Sequence, residues 1–289
     1  MTDIGRMLRK QAKEQNVPLW VVEKDYALSY LLAGIANTPD LGDQIVLKGG
    51  TALKKVFFPD YRFSEDLDFS TMELKPQLDF DALMQQAVQQ TENDLQEQGL
   101  FHIQFEPLVL REPHPSGQAA YTIRVQFPYQ RQPMCRVKVE ISIDEPVLLN
   151  PEIRSICHAY PESFLESVPS YPLPEILAEK LRALLQSHIR LQARGWGASR
   201  VCRDYYDIWQ LLDRENFLEA GIPNLTAQKC ATKDIDRPSI EQFFHPDLLE
   251  VATREWDQML IPFVPDCPSS EQVFAEAQQG ILELWQGKS

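Results

Sequence analysis

The chain has 289 residues, with 28 Lys plus Arg against 42 Asp plus Glu, a formal charge of −14. That balance excludes a protein that holds nucleic acid or an anionic membrane by bulk attraction, since such surfaces are basic. Hydrophobic residues make up 44% and charged residues 24%, the composition of a folded globular chain, and the length allows one large domain or two medium ones.

The first 40 residues have a helical pattern. Val21, Val22, Tyr26, Leu28, Leu31, Leu32 and Ile35 recur at helical spacing around Glu23-Lys24-Asp25. The run Ile45-Val46-Leu47 ends at Lys48-Gly49-Gly50-Thr51, and a helix is expected from Ala52 to Phe58, closed by Pro59-Asp60. Leu67 and Phe69 alternate with Asp66 and Asp68 as in a strand, and 79–98 is a Gln-rich amphipathic helix. Three further strands are expected around Ile103 and Phe105, Tyr121 to Phe127, and Val137 to Ile143. Pro- and Gly-rich connections such as Glu112-Pro113-His114-Pro115-Ser116-Gly117 separate them. From about 172 the pattern turns helical: Leu173 to Leu191 with Pro174 near its start, Arg200 to Leu212, then helices broken by prolines. The fold class is therefore α+β, a mixed sheet with flanking helices over 1–160 and a mostly helical half over 161–289.

No apolar run approaches the roughly 20 residues that cross a bilayer, and Met1-Thr2-Asp3-Ile4-Gly5-Arg6 lacks the apolar stretch of a secretion signal. The expectation is a cytoplasmic protein with no membrane partner. Cys135, Cys157, Cys202, Cys230 and Cys267 form no CxxC pair, and the five histidines no HExxH. The terminal Gly287-Lys288-Ser289 lacks P-loop spacing.

Chemistry concentrates at two places. A strand ending in Gly49-Gly50 before a hydroxyl, Thr51, lets a phosphate approach the backbone; it is equally an ordinary turn with Thr51 as helix N-cap. Asp66 and Asp68 share one strand face, and two adjacent carboxylates repel unless a cation sits between them. A divalent ion with oxygen ligands, Mg²⁺ (or Mn²⁺), suits them. A third carboxylate on a neighbouring strand would complete a site of the kind that activates a hydroxyl and steadies a leaving pyrophosphate; Glu140 is the candidate, with Asp144 the alternative.

These residues resemble a family. Leu47-Lys48-Gly49-Gly50-Thr51-Ala52-Leu53 followed by Arg62-Phe63-Ser64-Glu65-Asp66-Leu67-Asp68-Phe69 is similar to the first motif of the AbiEii/AbiGii-type nucleotidyltransferase toxins, within the DNA polymerase β-like nucleotidyltransferase superfamily. Glu23-Lys24-Asp25-Tyr26 resembles the family's N-terminal helix, Ala178-Glu179-Lys180-Leu181-Arg182-Ala183-Leu184 its lysine motif, and Arg203-Asp204-Tyr205-Tyr206-Asp207-Ile208 its last motif. Thr51 stands where the superfamily often has Ser, and Glu140 where Asp is usual.

The resemblance implies a nucleotidyltransferase fold and an NTP substrate. Gly49, Gly50 and Thr51 would cradle phosphates, Asp66, Asp68 and Glu140 would hold metal, and Arg62 and Ser64 would support the turn. Lys180 would neutralise the triphosphate, with Asp204 and Asp207 orienting it or the acceptor. Residue patterns alone explain Lys180 as a snorkelling lysine and the aspartates as i,i+4 partners of Arg200 and Arg203. The implied role is the toxin of a toxin–antitoxin pair acting on tRNA or protein, with a cognate antitoxin that a large acidic surface would suit. An RNA acceptor would need a local cationic track, for which Lys48, Lys54, Lys55, Lys180, Arg182, Arg190, Arg194, Arg200 and Arg203 are candidates. Two other readings fit the same residues: a binding protein that kept the fold and lost transfer, and a metal-dependent phosphohydrolase.

Overall fold

The computed structural model describes residues 3–74, 76–108, 117–236 and 238–287. The expected connection at 112–116 and the last two residues of Gly287-Lys288-Ser289 lie outside them. The chain divides into two compact units, 1–171 and 172–289.

In the first unit, α1 (Ile4–Glu14) starts at Asp3, whose carboxylate accepts the Arg6 N–H. The second helix, α2 (Leu19–Ala36), is buried along most of its length, as its all-round apolar composition requires. Then come β1 (Ile45–Lys48), α3 (Gly49–Ala52), β2 (Asp66–Thr71), α4 (Phe80–Gln96), β3 (His102–Pro107), β4 (Gln118–Gln126), β5 (Cys135–Ser142), β6 (Glu152–Ser155) and β7 (Ser167–Ser170). The seven strands form one mixed sheet in the order β3-β4-β5-β2-β1-β7-β6. Strand alternation sorts its faces. Leu67, Phe69, Val137, Val139, Ile141, Ile123 and Val125 are fully buried, while Asp66, Asp68, Lys138 and Glu140 between them are half-buried. The helix α2 packs against α4 and against β5 and β7.

Several expectations change here. The helix expected from Ala52 begins at Gly49, with Lys48 as its cap residue, so Thr51 lies inside it and is not the N-cap. The same helix widens into a π-helical turn, Leu53–Phe57, closed by the Phe58 N–H on the Leu53 carbonyl at 2.8 Å. In addition, β6 and β7 carry no alternation strong enough to be read from sequence: each has four residues, and β7 contains Pro169. Because β7 pairs with β1 (Leu47 opposite Ser170) and Tyr171 N–H reaches the Leu47 carbonyl at 2.9 Å, the first unit ends at Tyr171 rather than at 160.

The second unit is helical among its described residues: α5 (Leu173–Arg194), α6 (Val201–Arg214), α7 (Ile222–Ala231), α8 (Ile240–Phe243), α9 (Pro246–Leu260) and α10 (Ser270–Gln286). Pro174 sits in the first turn of α5, and Gly195 ends it in a left-handed conformation, φ 73°. Against α5 pack α6 and α7, and against α6 pack α9 and α10. Val201, Tyr205, Ile208 and Leu211 form the buried stripe of α6, and Leu212 is half-buried. Among the described residues no helix is long and apolar enough to cross a membrane.

Candidate active site

The sheet register assembles the acidic face. Asp68 pairs with Lys48 on β1 and with Glu140 on β5, and Asp66 pairs with Lys138. A row Lys48–Asp68–Glu140 thus crosses three adjacent strands. Asp144, the alternative third acid, lies past the end of β5 near Gly117. Lys48 pairs with Glu145, donates to Ser142 Oγ at 3.3 Å and lies over the Tyr171 ring at 6.0 Å. Glu140 is held by Lys138 Nζ at 2.7 Å and accepts from the Gln118 amide. The donor set on this face is hard carboxylate oxygen, with acids outnumbering ammonium groups, which fits Mg²⁺ or Mn²⁺ and not a soft metal.

The glycine turn is shaped by what it touches. Gly49 has φ +74°, and a Cβ there would lie 3.1 Å from Asp68 Oδ2. A Cβ on Gly50 would lie 2.7 Å from Arg62 Nη2. The glycines therefore admit a carboxylate and a guanidinium against the backbone. Thr51 is 1% exposed. Its hydroxyl is bonded to the Asp66 carbonyl and lies 2.7 Å from Ser64 Oγ. Since a hydroxyl has one proton, Thr51 donates to the carbonyl and Ser64 donates to Thr51. Arg62, also buried, donates to the Phe63 carbonyl at 3.1 Å. Thr51, Ser64 and Arg62 thus tie the segment before β2 to α3 and fix the strand that carries both aspartates.

Sequence reasoning missed a second layer. Lys24 Nζ lies 3.2 Å from Glu65, next to Asp66. Lys55 Nζ lies 2.7 Å from Asp25, which also accepts the Tyr160 hydroxyl at 3.0 Å. Lys54 donates to the Pro59 carbonyl at 2.6 Å and lies over Phe63 at 4.5 Å; burial pushes its pKa below the usual range. Glu23 accepts from Tyr129 at 2.6 Å and Gln130 at 3.0 Å, and burial raises its pKa. The available signal was Glu-Lys-Asp inside a helix apolar on all sides, since buried charges are paired.

In the second unit, Lys180 Nζ lies 2.7 Å from Asp204 Oδ1 and 2.9 Å from Asp207 Oδ2. The lysine on α5 is thereby clamped by two carboxylates one turn apart on α6, and is not a snorkelling surface group. Arg203, read from sequence as a partner of Asp207, donates to the Met259 carbonyl at 3.2 Å and lies over Phe263 at 4.6 Å. A fully buried pair, Lys229–Glu175 at 2.7 Å, ties α7 to α5.

The expected cationic track is only partly at the surface. Lys48, Lys54, Lys55, Arg182 and Arg203 are buried, and Lys180 is held by aspartates; Arg190, Arg194 and Arg200 are exposed. Burial pushes the Cys135 and Cys202 thiols up to about 12 and Cys230 up to about 11, which disfavours the thiolate at these three positions.

Comparison with known proteins follows the same lines. The profile of the family described as nucleotidyl transferase AbiEii toxin, type IV toxin–antitoxin system, matches residues 30–280. Among solved structures, MenT4, a nucleotidyltransferase toxin from Mycobacterium tuberculosis H37Rv, superposes with a TM-score of 0.66 over 97% of this chain and 88% of its own, at 20% identity. That likeness establishes the fold. No curated protein matches the chain in sequence.

Proposed function

The chain belongs to the AbiEii nucleotidyltransferase toxin family of type IV toxin–antitoxin systems, and on that premise we propose that it is a Mg²⁺-dependent enzyme moving a nucleoside monophosphate from an NTP to an acceptor such as tRNA or protein. The observation that carries the reading is the register that sets Asp66 and Asp68 on one face, with Glu140 beside Asp68 and Gly49 against its carboxylate. In the reaction an acceptor hydroxyl attacks the α-phosphorus, its proton passes to a carboxylate, and pyrophosphate leaves.

Each residue has one task in this proposal. Asp66 and Asp68 would hold the metal, with Glu140, tuned by Lys138 and Gln118, as third acid or as base for the acceptor. The ion, when bound, would supply charge neutralisation at the phosphates. Gly49 and Gly50 offer backbone N–H groups to phosphate oxygens. Thr51 and Ser64 act as positioning residues, their hydroxyl protons being committed to the turn, and Arg62 supports the same turn through the Phe63 carbonyl. Lys180 binds the triphosphate as a point charge. Asp204 and Asp207 hold its ammonium, and Asp204, the more exposed of the two, is the one a phosphate would displace.

The test is incubation with each labelled NTP, Mg²⁺ and a tRNA or protein acceptor. Labelled acceptor with pyrophosphate release, abolished in Asp66→Asn, is expected. Release of orthophosphate instead would establish the hydrolase, and NTP binding with no turnover would establish the binding protein.

A further inference from the structure

Outside the residues assigned above, one group of side chains converges as a ligand set. His188 lies in the last turns of α5, His245 is the cap residue of α9, and Asp247 is in the first turn of α9. One ligand atom from each lies within 4.8 Å of the others. The imidazole centroids are 4.1 Å apart, and His245 Nδ1 lies 3.6 Å from Asp247 Oδ2. Ligand atoms of a tetrahedral zinc site with bonds of about 2.0–2.1 Å lie about 3.4 Å apart, so that edge is nearly formed.

His245 Nδ1 accepts the Asp247 N–H at a long 3.3 Å, a cap bond that a metal at this nitrogen would displace. The Gln192 amide nitrogen donates to Asp247 and lies 3.4 Å from His188 Nε2. A single amide donor thus spans two acceptor atoms, the position a cation takes. The positive end of α9 opposes a cation, and Asp247 is the charge that offsets it.

We propose that His188, His245 and Asp247 form a zinc site that staples the end of α5 to the start of α9, with Gln192 Oε1 or water as the fourth ligand. Two imidazoles and one carboxylate suit Zn²⁺ and exclude Mg²⁺ as the natural ion. None of its three residues is among those assigned to transfer.

The experiment is calorimetric titration of the tag-free, full-length chain with Zn²⁺ in excess Mg²⁺, together with thermal unfolding. One zinc equivalent and a raised unfolding midpoint are expected in the wild type and in Asp66→Asn. Both are lost in His188→Gln and in Asp247→Asn. His245→Asn keeps a good capping side chain for α9 while removing the imidazole, so it loses the zinc equivalent with its metal-free midpoint preserved. The proposal is overturned if no zinc binds, if the equivalent survives in His188→Gln and His245→Asn, or if it disappears in Asp66→Asn.

Discussion

Two lysines in this molecule are each held by an aspartate at 2.7 Å, and they differ in what surrounds them. Lys55 and Asp25 are both 2% exposed in their side chains; Tyr160 donates to Asp25 Oδ2 and Lys55 donates to Ser29 Oγ, while Asp25 Oδ1 is buried without a hydrogen-bond partner. Lys180 is 14% exposed, with Asp207 sealed behind it at 0% and Asp204 open at 19%. A sealed pair has no partner to exchange and serves only to order the helix that follows Gly49-Gly50. A lysine between one sealed and one open carboxylate can trade the open one for a phosphate. In the proposed mechanism, solvent access, more than charge, separates scaffold from reagent.

The largest expected effect is on the sealed side. Lys55→Met leaves Asp25 charged and buried, so denaturant unfolding should show a loss of about 3–5 kcal/mol. Adding Asp25→Asn should restore part of it. A variant as stable as wild type but inactive would reverse the comparison. Next is Lys180→Arg, which keeps the charge between Asp204 and Asp207 but spreads it over a planar fork. Transfer should fall by about 10²-fold, roughly 2.7 kcal/mol, while the unfolding midpoint barely moves. Thr51→Val tests the positioning layer: losing the bond to the Asp66 carbonyl should cost about 1 kcal/mol of stability and lower transfer, and Thr51→Ser should retain both.

The smallest effect concerns Glu23, sealed like Asp25 but held by a phenol and an amide. Burial raises its pKa above the ordinary 4.5, so the folded chain keeps this proton to higher pH than the unfolded one. Its contribution favours folding below pH 4.5 and becomes a penalty as pH rises through the folded value. Glu23→Gln should therefore gain stability on the wild type at pH 7 relative to pH 4, by less than about 1 kcal/mol. Unfolding curves at the two pH values check the sign.

The elements that alternate or repeat strongly were legible: α2, α4, β2, β4, β5, α5 and α6 all fall where their apolar periods put them. So was the convergence of Asp66, Asp68 and Glu140 on one sheet face, since i and i+2 on a strand face the same way. Three things were not. Strands β6 and β7 form because β1 offers an edge, a tertiary cause that a four-residue segment does not advertise. The burial of Lys54, Lys55, Arg182 and Arg203 was hidden because a basic residue looks the same in sequence whether it faces water or a buried aspartate. The pairing of His188 with His245 spans two helices and leaves no spacing signature.

The π-helical turn at Leu53–Phe57 has a consequence for chain length. A π turn holds one residue more than the α turn it replaces. Deleting a residue between Gly50 and Lys54 would let the segment relax to regular helix and rotate Lys54 and Lys55 by about 100°. Lys54 would leave the Pro59 carbonyl and Lys55 would leave Asp25. The stretch from Gly49 to Pro59 therefore behaves as a fixed-length spacer, closed to insertion or deletion.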